Sequence, residues 1–300
     1  MKKLFSILLV SLLVLTGCGS KDDDKTPTET GKTLKVGTAV SAAQSSEDAT
    51  AEKAGKYQSD VTYATVVMEG DKFVQVQIDA SQNKADVAAD GSATFTAVGT
   101  KKERGKDYGI NWFEQVAELE KWLVGKTVSE ITKAPEDADL TSSVSIKMEG
   151  LLTVVGQAAE NAVEVANVAK VGSVSEVSGT TEEGIEINTT VTAVAFDASG
   201  KVLNTFIDQA QLKATSENGK VVFAKEDTRT KGQLKEEYGM SSKGKVEWYK
   251  QVESFTAWTL GKSVSEVEGA NDSDITSSVS IKMDGFVSGI KKAADKAVAL

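Results

Sequence analysis

The feature that most constrains this chain is an internal duplication. The segment Asp-Leu-Thr-Ser-Ser-Val-Ser-Ile-Lys-Met-Glu-Gly at 139–150 returns at 274–285 as Asp-Ile-Thr-Ser-Ser-Val-Ser-Ile-Lys-Met-Asp-Gly. Other pairs recur in the same order: Lys-Val-Gly at 35–37 and 170–172, Ile-Asp at 78–79 and 207–208, Tyr-Gly at 108–109 and 238–239, and Trp-x-x-Gln-Val at 112–116 and 248–252. Two long copies do not make a stacked solenoid. We therefore predict two similar domains, copy one at 33–167 and copy two at 168–300, divided near Asn167.

Each copy carries a pattern typical of antiparallel strands. In copy one, alternating residues at 61–67 precede the turn Glu69-Gly-Asp71, and the apolar residues Phe73, Val74, Val76 and Ile78 follow it. In copy two, 187–196 and 202–207 flank Asp197-Ala-Ser-Gly200. These are β-hairpin patterns. A further strand is expected at 92–96 and at 220–224.

Helical spacing follows the strands in each copy. Apolar residues three and four apart share one helix face, and glycine ends a helix. The pattern predicts one helix in each copy that ends at a glycine: Trp112, Val116, Leu119 and Leu123 before Gly125, and Trp248, Val252 and Phe255 before Gly261. It also predicts a closing helix in each copy, through Ala158, Ala162 and Val165 in copy one and through Ile290, Ala294 and Ala297 in copy two. We interpret the aromatic residues as core. The expected fold class is α+β, each copy an antiparallel sheet packed with helices.

The N-terminus is typical of an export signal. Lys2 and Lys3 precede an apolar run, 4–15, that is too short to span a bilayer. Leu15-Thr-Gly-Cys18 resembles the lipobox of bacterial lipoproteins. That resemblance implies cleavage after residue 17 and lipid attachment (diacylglyceryl, with palmitate among the acyl chains) at Cys18. The polar segment 18–32 is predicted to be a flexible stalk, so we expect a protein anchored to the outer face of the cell membrane.

Composition removes several kinds of chemistry. The chain has no histidine and Cys18 is its only cysteine. A Ser-His-Asp triad, a thiol nucleophile other than Cys18 and most zinc sites are thereby excluded. The net charge of −10 does not suit nucleic acid. Any chemistry that the protein carries out must therefore come from carboxylates, lysine, tyrosine, hydroxyls or a bound cofactor. Whether the protein is an enzyme stays open. A hydrolase is the least favoured function, because the acidic residues of this chain are expected mainly in loops and on polar helix faces.

The duplicated hydroxyl-rich segment allows two interpretations from its residues alone. Small hydroxyl residues are common at the caps of helices, so the segment could be purely structural. Backbone amides at a helix start also bind phosphate, so it could hold a small anion or a nucleotide phosphate.

The order of elements resembles the bacterial FMN-binding domain. Gly55-Lys-Tyr57, the hairpin Gly70-Asp-Lys-Phe-Val-Gln-Val-Gln-Ile-Asp79 and the hydroxyl-rich segment match that layout over most of each copy. The chain is most similar to duplicated, lipid-anchored members from Gram-positive bacteria, which serve in extracellular electron transfer. Some of them release a peptide pheromone from the signal, here 10–17.

The resemblance implies that a flavin transferase joins FMN through a phosphoester to Ser145 and Ser280. The protein would then carry electrons from membrane quinol-linked enzymes. The implied cofactor-binding residues are Asp139, Ser142, Ser143, Ser145, Asp274, Ser277, Ser278 and Ser280. The family's glycine is replaced by Ser143 and Ser278, and its alanine by Val144 and Val279. The alternative is therefore a non-redox lipoprotein, structural or binding another small ligand.

Overall fold

A computed structural model describes residues 32–109, 111–269, 275 and 279–300. The predicted signal peptide, Cys18 and the predicted stalk up to residue 31 lie outside the described residues. Asp274, Ser277 and Ser278 also lie outside them. The described residues form one compact unit. None of their helices is both long enough and apolar enough to cross a membrane.

The described strands form two antiparallel sheets of five, on either side of the predicted boundary at Asn167. The first sheet has the order β4-β3-β2-β1-β5, with β1 Leu34–Glu47, β2 Gly55–Glu69, β3 Lys72–Val87, β4 Ala93–Thr96 and β5 Val163–Val165. The second has the order β10-β6-β7-β8-β9, with β6 Lys170–Thr180, β7 Ile185–Phe196, β8 Val202–Glu217, β9 Lys220–Phe223 and β10 Val298–Ala299. The predicted α+β class is confirmed.

The predicted hairpins are present and extend further than the sequence indicated. β2 and β3 pair on either side of Gly70, and β7 and β8 pair on either side of 197–201. Gly70 and Gly200 take positive φ angles of 67° and 82°, which glycine adopts at little cost. Both hairpins shift register just before the turn, between Val67 and Met68 and between Ala195 and Phe196. β4 and β9 are the predicted further strands.

Helices cover the outer face of each sheet. In copy one they are α1 Lys101–Arg104, α2 Trp112–Leu123, α3 Val128–Ile131, α4 Ala138–Ser143 and α5 Glu149–Glu160. In copy two they are α6 Lys231–Leu234, α7 Trp248–Thr259, α8 Val264–Glu268 and α9 Asp284–Asp295. The helices predicted from 112–123 and from 248 onward are confirmed, and Trp112, Trp248 and Phe255 lie in the cores as predicted.

The closing helices are shorter than predicted. α5 ends at Glu160, so Ala162 and Val165 are not helical, and Val165 belongs to β5, opposite Leu34 of β1. α9 ends before Ala297, and the chain then pairs with β6 as β10. The prediction followed helical spacing past the true end. Antiparallel pairing with the first strand of the copy gives these last backbone groups their hydrogen-bond partners instead.

The inner faces of the two sheets pack against each other. One shared cluster joins Val40, Val61 and Tyr63 of copy one to Val191 and Ala210 of copy two. A second joins the first sheet to the far ends of β7 and β8, through Tyr57, Ala85, Val87, Ile185, Ile187, Leu212, Ala214 and Val221. The buried hydroxyls of Ser81 and Ser175 lie 2.8 Å apart across this interface. The layers are therefore helices, sheet, sheet, helices.

Candidate functional site

The hydroxyl-rich segment of copy one is one short helix followed by extended chain. α4 spans Ala138–Ser143, and the backbone is extended at Val144 before α5. The N-cap of α4 is Asp137, whose Oδ1 accepts from the amides of Asp139 at 3.1 Å and Leu140 at 3.0 Å. The Leu140 amide and the Trp122 indole N–H lower the pKa of Asp137. A carboxylate thus occupies the amides that a phosphate would need at this helix start.

The candidate residues of α4 are exposed and bond within their own helix. Ser142 Oγ donates to the Asp139 carbonyl at 2.7 Å, and Ser143 Oγ donates to the Leu140 carbonyl at 3.1 Å. Asp139 is exposed as well. These hydroxyls therefore do not cap the start of a helix; they satisfy carbonyls in the last turn of α4.

Ser145 is held by a glutamine from another helix. Gln115 Oε1, from α2, accepts from the Ser145 amide at 2.7 Å, the Ser145 hydroxyl at 3.2 Å and the Ile146 amide at 3.1 Å. The Ser145 side chain is nevertheless exposed. Because the serine donates its hydroxyl proton to Gln115, its oxygen keeps lone pairs for another partner.

Copy two repeats this arrangement. Gln251 Oε1, from α7, accepts from the Ser280 amide at 2.7 Å, the Ser280 hydroxyl at 3.1 Å and the Ile281 amide at 3.1 Å. Gln251 is fully buried, and its Nε2 donates to the Val246 carbonyl at 2.7 Å. We call each set of three bonds to a glutamine oxygen the glutamine clamp.

The residues that depart from the family motif fit the local structure. Val144 and Val279 are each 3% exposed and belong to the helix–sheet cores of their copies. Their methyl groups therefore lie in the core. Ser143 has a negative φ within α4, so this position does not require glycine.

The structure separates the predicted site residues by environment. Asp139, Ser142 and Ser143 make only local bonds, whereas Ser145 and Ser280 are tied to a second element. The sequence analysis missed Gln115 and Gln251. The signal that could have revealed them is the Trp-x-x-Gln-Val repeat, which has the same glutamine directly before a core valine in both copies, whereas the residue before the glutamine changes from Glu114 to Lys250.

The arrangement fits FMN as a covalent substituent. Ser145 and Ser280 each present an exposed, immobilised hydroxyl oxygen. The neighbouring amides already bond to glutamine, so they do not cradle a free phosphate. The two serines would hold the group through the ester bond.

Comparisons of the chain with protein-family models, with curated proteins and with solved structures find no match.

Proposed function

We propose that this protein is an extracytoplasmic lipoprotein, anchored through Cys18, that carries electrons on FMN joined to Ser145 and Ser280. The observation that supports this most is the glutamine clamp, which holds an exposed serine in the same way in both copies. The hydroxyls of Ser142 and Ser143, by contrast, bond to their own helix.

The protein residues position the acceptor oxygen in this proposal. The glutamine oxygen accepts a hydrogen bond from the serine hydroxyl, so the lone pairs of the hydroxyl oxygen remain for another partner. An ester bond to the FMN phosphate would take the place of the hydroxyl proton. The hydrogen bonds from the Ser145 and Ile146 amides to Gln115 do not involve that proton, so they would still hold the linkage to α2. The bound flavin would accept electrons from quinol-linked membrane enzymes and pass them on, since the cofactor carries the redox chemistry.

Intact mass spectrometry tests the proposal. Residues 19–300 are exported from cells that also produce a flavin transferase, and we expect an added mass of one or two FMN less water. Ser145→Ala and Ser280→Ala should each remove one FMN. Ser142→Ala is the matched control, since it removes a neighbouring exposed hydroxyl without touching the clamp, and it should carry the same added mass as the unsubstituted protein. An unmodified mass in the unsubstituted protein would contradict covalent flavin attachment.

A further inference from the structure

Each copy has a cavity on the helix side of its sheet, beside the duplicated tyrosine. In copy one, a cavity of about 380 Å³ is lined by Gln58, Gln82, Lys84, Val98, Arg104 and Tyr108. In copy two, Gln211, Lys213 and Tyr238 line a smaller cavity of about 130 Å³. The tyrosine hydroxyl donates to the glutamine in both, at 3.3 Å from Tyr108 and 3.1 Å from Tyr238. The two cavities therefore share one framework.

In copy two, carboxylates pair with two of the three cations that line the cavity. Lys213 Nζ lies 2.5 Å from Glu186 Oε2, directly across the β7–β8 pair. The guanidinium of Arg229 bonds to the carboxylates of Asp227 at 2.7 Å and Glu237 at 2.6 Å. Lys225, the third cation that lines this cavity, makes no ion pair with a described carboxylate. Copy two therefore keeps one unpaired lysine at its cavity, and the arginine there is held by two carboxylates.

Copy one lacks the equivalent acid. Gln58 stands across β2–β3 from Lys84, where copy two has Glu186 across from Lys213. The nearby acid, Asp60, instead accepts from the amides of Gln58 and Gln82, each at 2.8 Å. Lys84 therefore makes no ion pair with any described carboxylate.

A second cation distinguishes the copy-one cavity. Arg104, the last residue of α1, lies where copy two has Leu234, the last residue of α6. Its guanidinium lies 5.1 Å from the centre of the Tyr108 ring, and it too has no ion pair with a described carboxylate. Two unneutralised cations thus border one cavity in a chain of net charge −10.

We infer that the copy-one cavity binds a small organic phosphate, a phosphate monoester attached to a hydroxyl-bearing group. A guanidinium bonds phosphate oxygens in pairs, and an ammonium adds a point charge. Gln58 Oε1 accepts no hydrogen bond from the described residues, so it is open to a ligand hydroxyl. The volume lies within the range of small-molecule sites. The inference does not depend on flavin, and it would give the non-redox alternative a ligand.

Calorimetric titration of the mature chain with ribose 5-phosphate, inorganic phosphate and ribose tests this inference. We expect the two phosphates to bind and ribose to give no heat. Gln58→Glu installs the acid of copy two opposite Lys84, and Arg104→Leu installs its apolar residue. Each should weaken ribose 5-phosphate binding by about tenfold or more. Lys213→Gln, in copy two, is the matched control and should leave the affinity unchanged.

Two further measurements separate the possible outcomes. The melting temperature of each ligand-free variant shows that the fold is intact. Ser145→Ala combined with Ser280→Ala should leave phosphate binding unchanged, so failure of flavin attachment and failure of this site are distinguishable. The inference is overturned if ribose binds as tightly as ribose 5-phosphate, or if folded Gln58→Glu and Arg104→Leu proteins bind like the unsubstituted chain.

Discussion

At the scale of single residues, the glutamine clamp joins the segment that bears Ser145 or Ser280 to a core helix. Gln251 uses its oxygen for three donors of copy two and its nitrogen for the Val246 carbonyl, with no exposure to water. A buried polar group in this position is costly to remove, because its partners lose their bonds together.

Gln251→Leu should therefore destabilise the protein by about 2–3 kcal/mol, since it leaves two amides and a carbonyl without partners. Ser280→Ala removes one donor from an exposed side chain and should cost about 1 kcal/mol or less. Urea unfolding followed by circular dichroism measures both. Equal losses for the two variants would show that the clamp does not hold the segment.

Lys231 provides a pH-dependent prediction. The Lys231 residue is 8% exposed, and its ammonium lies over the rings of Tyr238 and Trp248. Burial lowers the pKa of Lys231 to about 8, while nearby Glu186 and Asp208 act to raise it and Lys213 to lower it. In the unfolded chain the pKa is near 10.4. Between these two pKa values the unfolded chain binds the proton more tightly than the folded protein. The free energy of unfolding is therefore highest above about pH 10.4, where Lys231 is neutral in both states, and it falls as the pH falls toward 8.

The stability of the natural protein relative to Lys231→Met should consequently rise by about 2–3 kcal/mol between pH 7.5 and 10.5. Urea unfolding at both pH values measures this difference. Lys245→Met, which removes an exposed lysine of the same copy, is the control for the lost charge. If the stability of the natural protein relative to Lys245→Met rises by the same amount between the two pH values, the effect does not come from Lys231.

The repeat marks the whole hydroxyl-rich segment, and within it only the resemblance to the FMN-binding domain points to Ser145 and Ser280. Residue spacing does not show that Ser145 contacts another helix whereas Ser142 and Ser143 bond to their own. The cavity of copy one could not be predicted from the sequence either, because it depends on strand register. Gln58 belongs to it only because β2 and β3 pair so that Gln58 stands across from Lys84.

At the scale of elements, glycine fixes how closely each closing helix approaches its sheet. A Cβ on Gly37 would lie 2.0 Å from the Ala158 carbonyl oxygen of α5, and one on Gly172 would lie 1.9 Å from the Ala293 carbonyl oxygen of α9. These distances are far inside van der Waals contact. The Lys-Val-Gly repeat is thus explained by helix packing.

Gly37→Ala should push α5 away from β1 and destabilise the protein by about 2 kcal/mol or more, as overpacking does. Gly150→Ala is the matched control, because it lies on α5 with nothing within 4 Å of the added Cβ. That control should be neutral or stabilising by up to about 1 kcal/mol. Thermal unfolding monitored by circular dichroism compares them, and a Gly37→Ala protein as stable as Gly150→Ala would contradict the packing argument.

The sequence predicted elements well where one periodicity dominated. The hairpins and the helices beginning at Trp112 and Trp248 follow clear strand and helix patterns. The strands β1 and β6 were not predicted, because runs of small residues such as Val-Gly-Thr-Ala-Val-Ser-Ala-Ala in β1 have weak alternation. At 163–165, period two and helical spacing are both satisfied, and only the pairing with β1 decides between them.

At the scale of the whole molecule, the two copies share a core. In the structure, residues 63–68 of β2 and 191–196 of β7 are buried without interruption. A strand with one solvent-facing side shows alternating burial, whereas a strand covered on both faces does not. The second cover could not be identified from the sequence, because an apolar run does not show which surface packs against it.

The shared core predicts that a destabilising substitution in copy two also destabilises copy one. Ile187 is fully buried between the sheets, in the cluster that includes Tyr57, Ala85 and Val87. Ile187→Ala should cost about 2–5 kcal/mol. If both sheets unfold together, slow amide exchange in β2 and β3 should accelerate by the same free energy as in β7. Hydrogen exchange with peptide-resolved mass spectrometry measures both copies at once.

Val222→Ala, at an exposed position of β9, is the control for this experiment and should leave exchange in both sheets unchanged. Acceleration confined to β7 and β8 in Ile187→Ala would show two independently folding copies whose contact adds little. Equal acceleration in the two sheets would mean that neither copy retains its fold without the other. In that case the glutamine clamps at Ser145 and Ser280 are held by one cooperative unit, and loss of either sheet removes both clamps together.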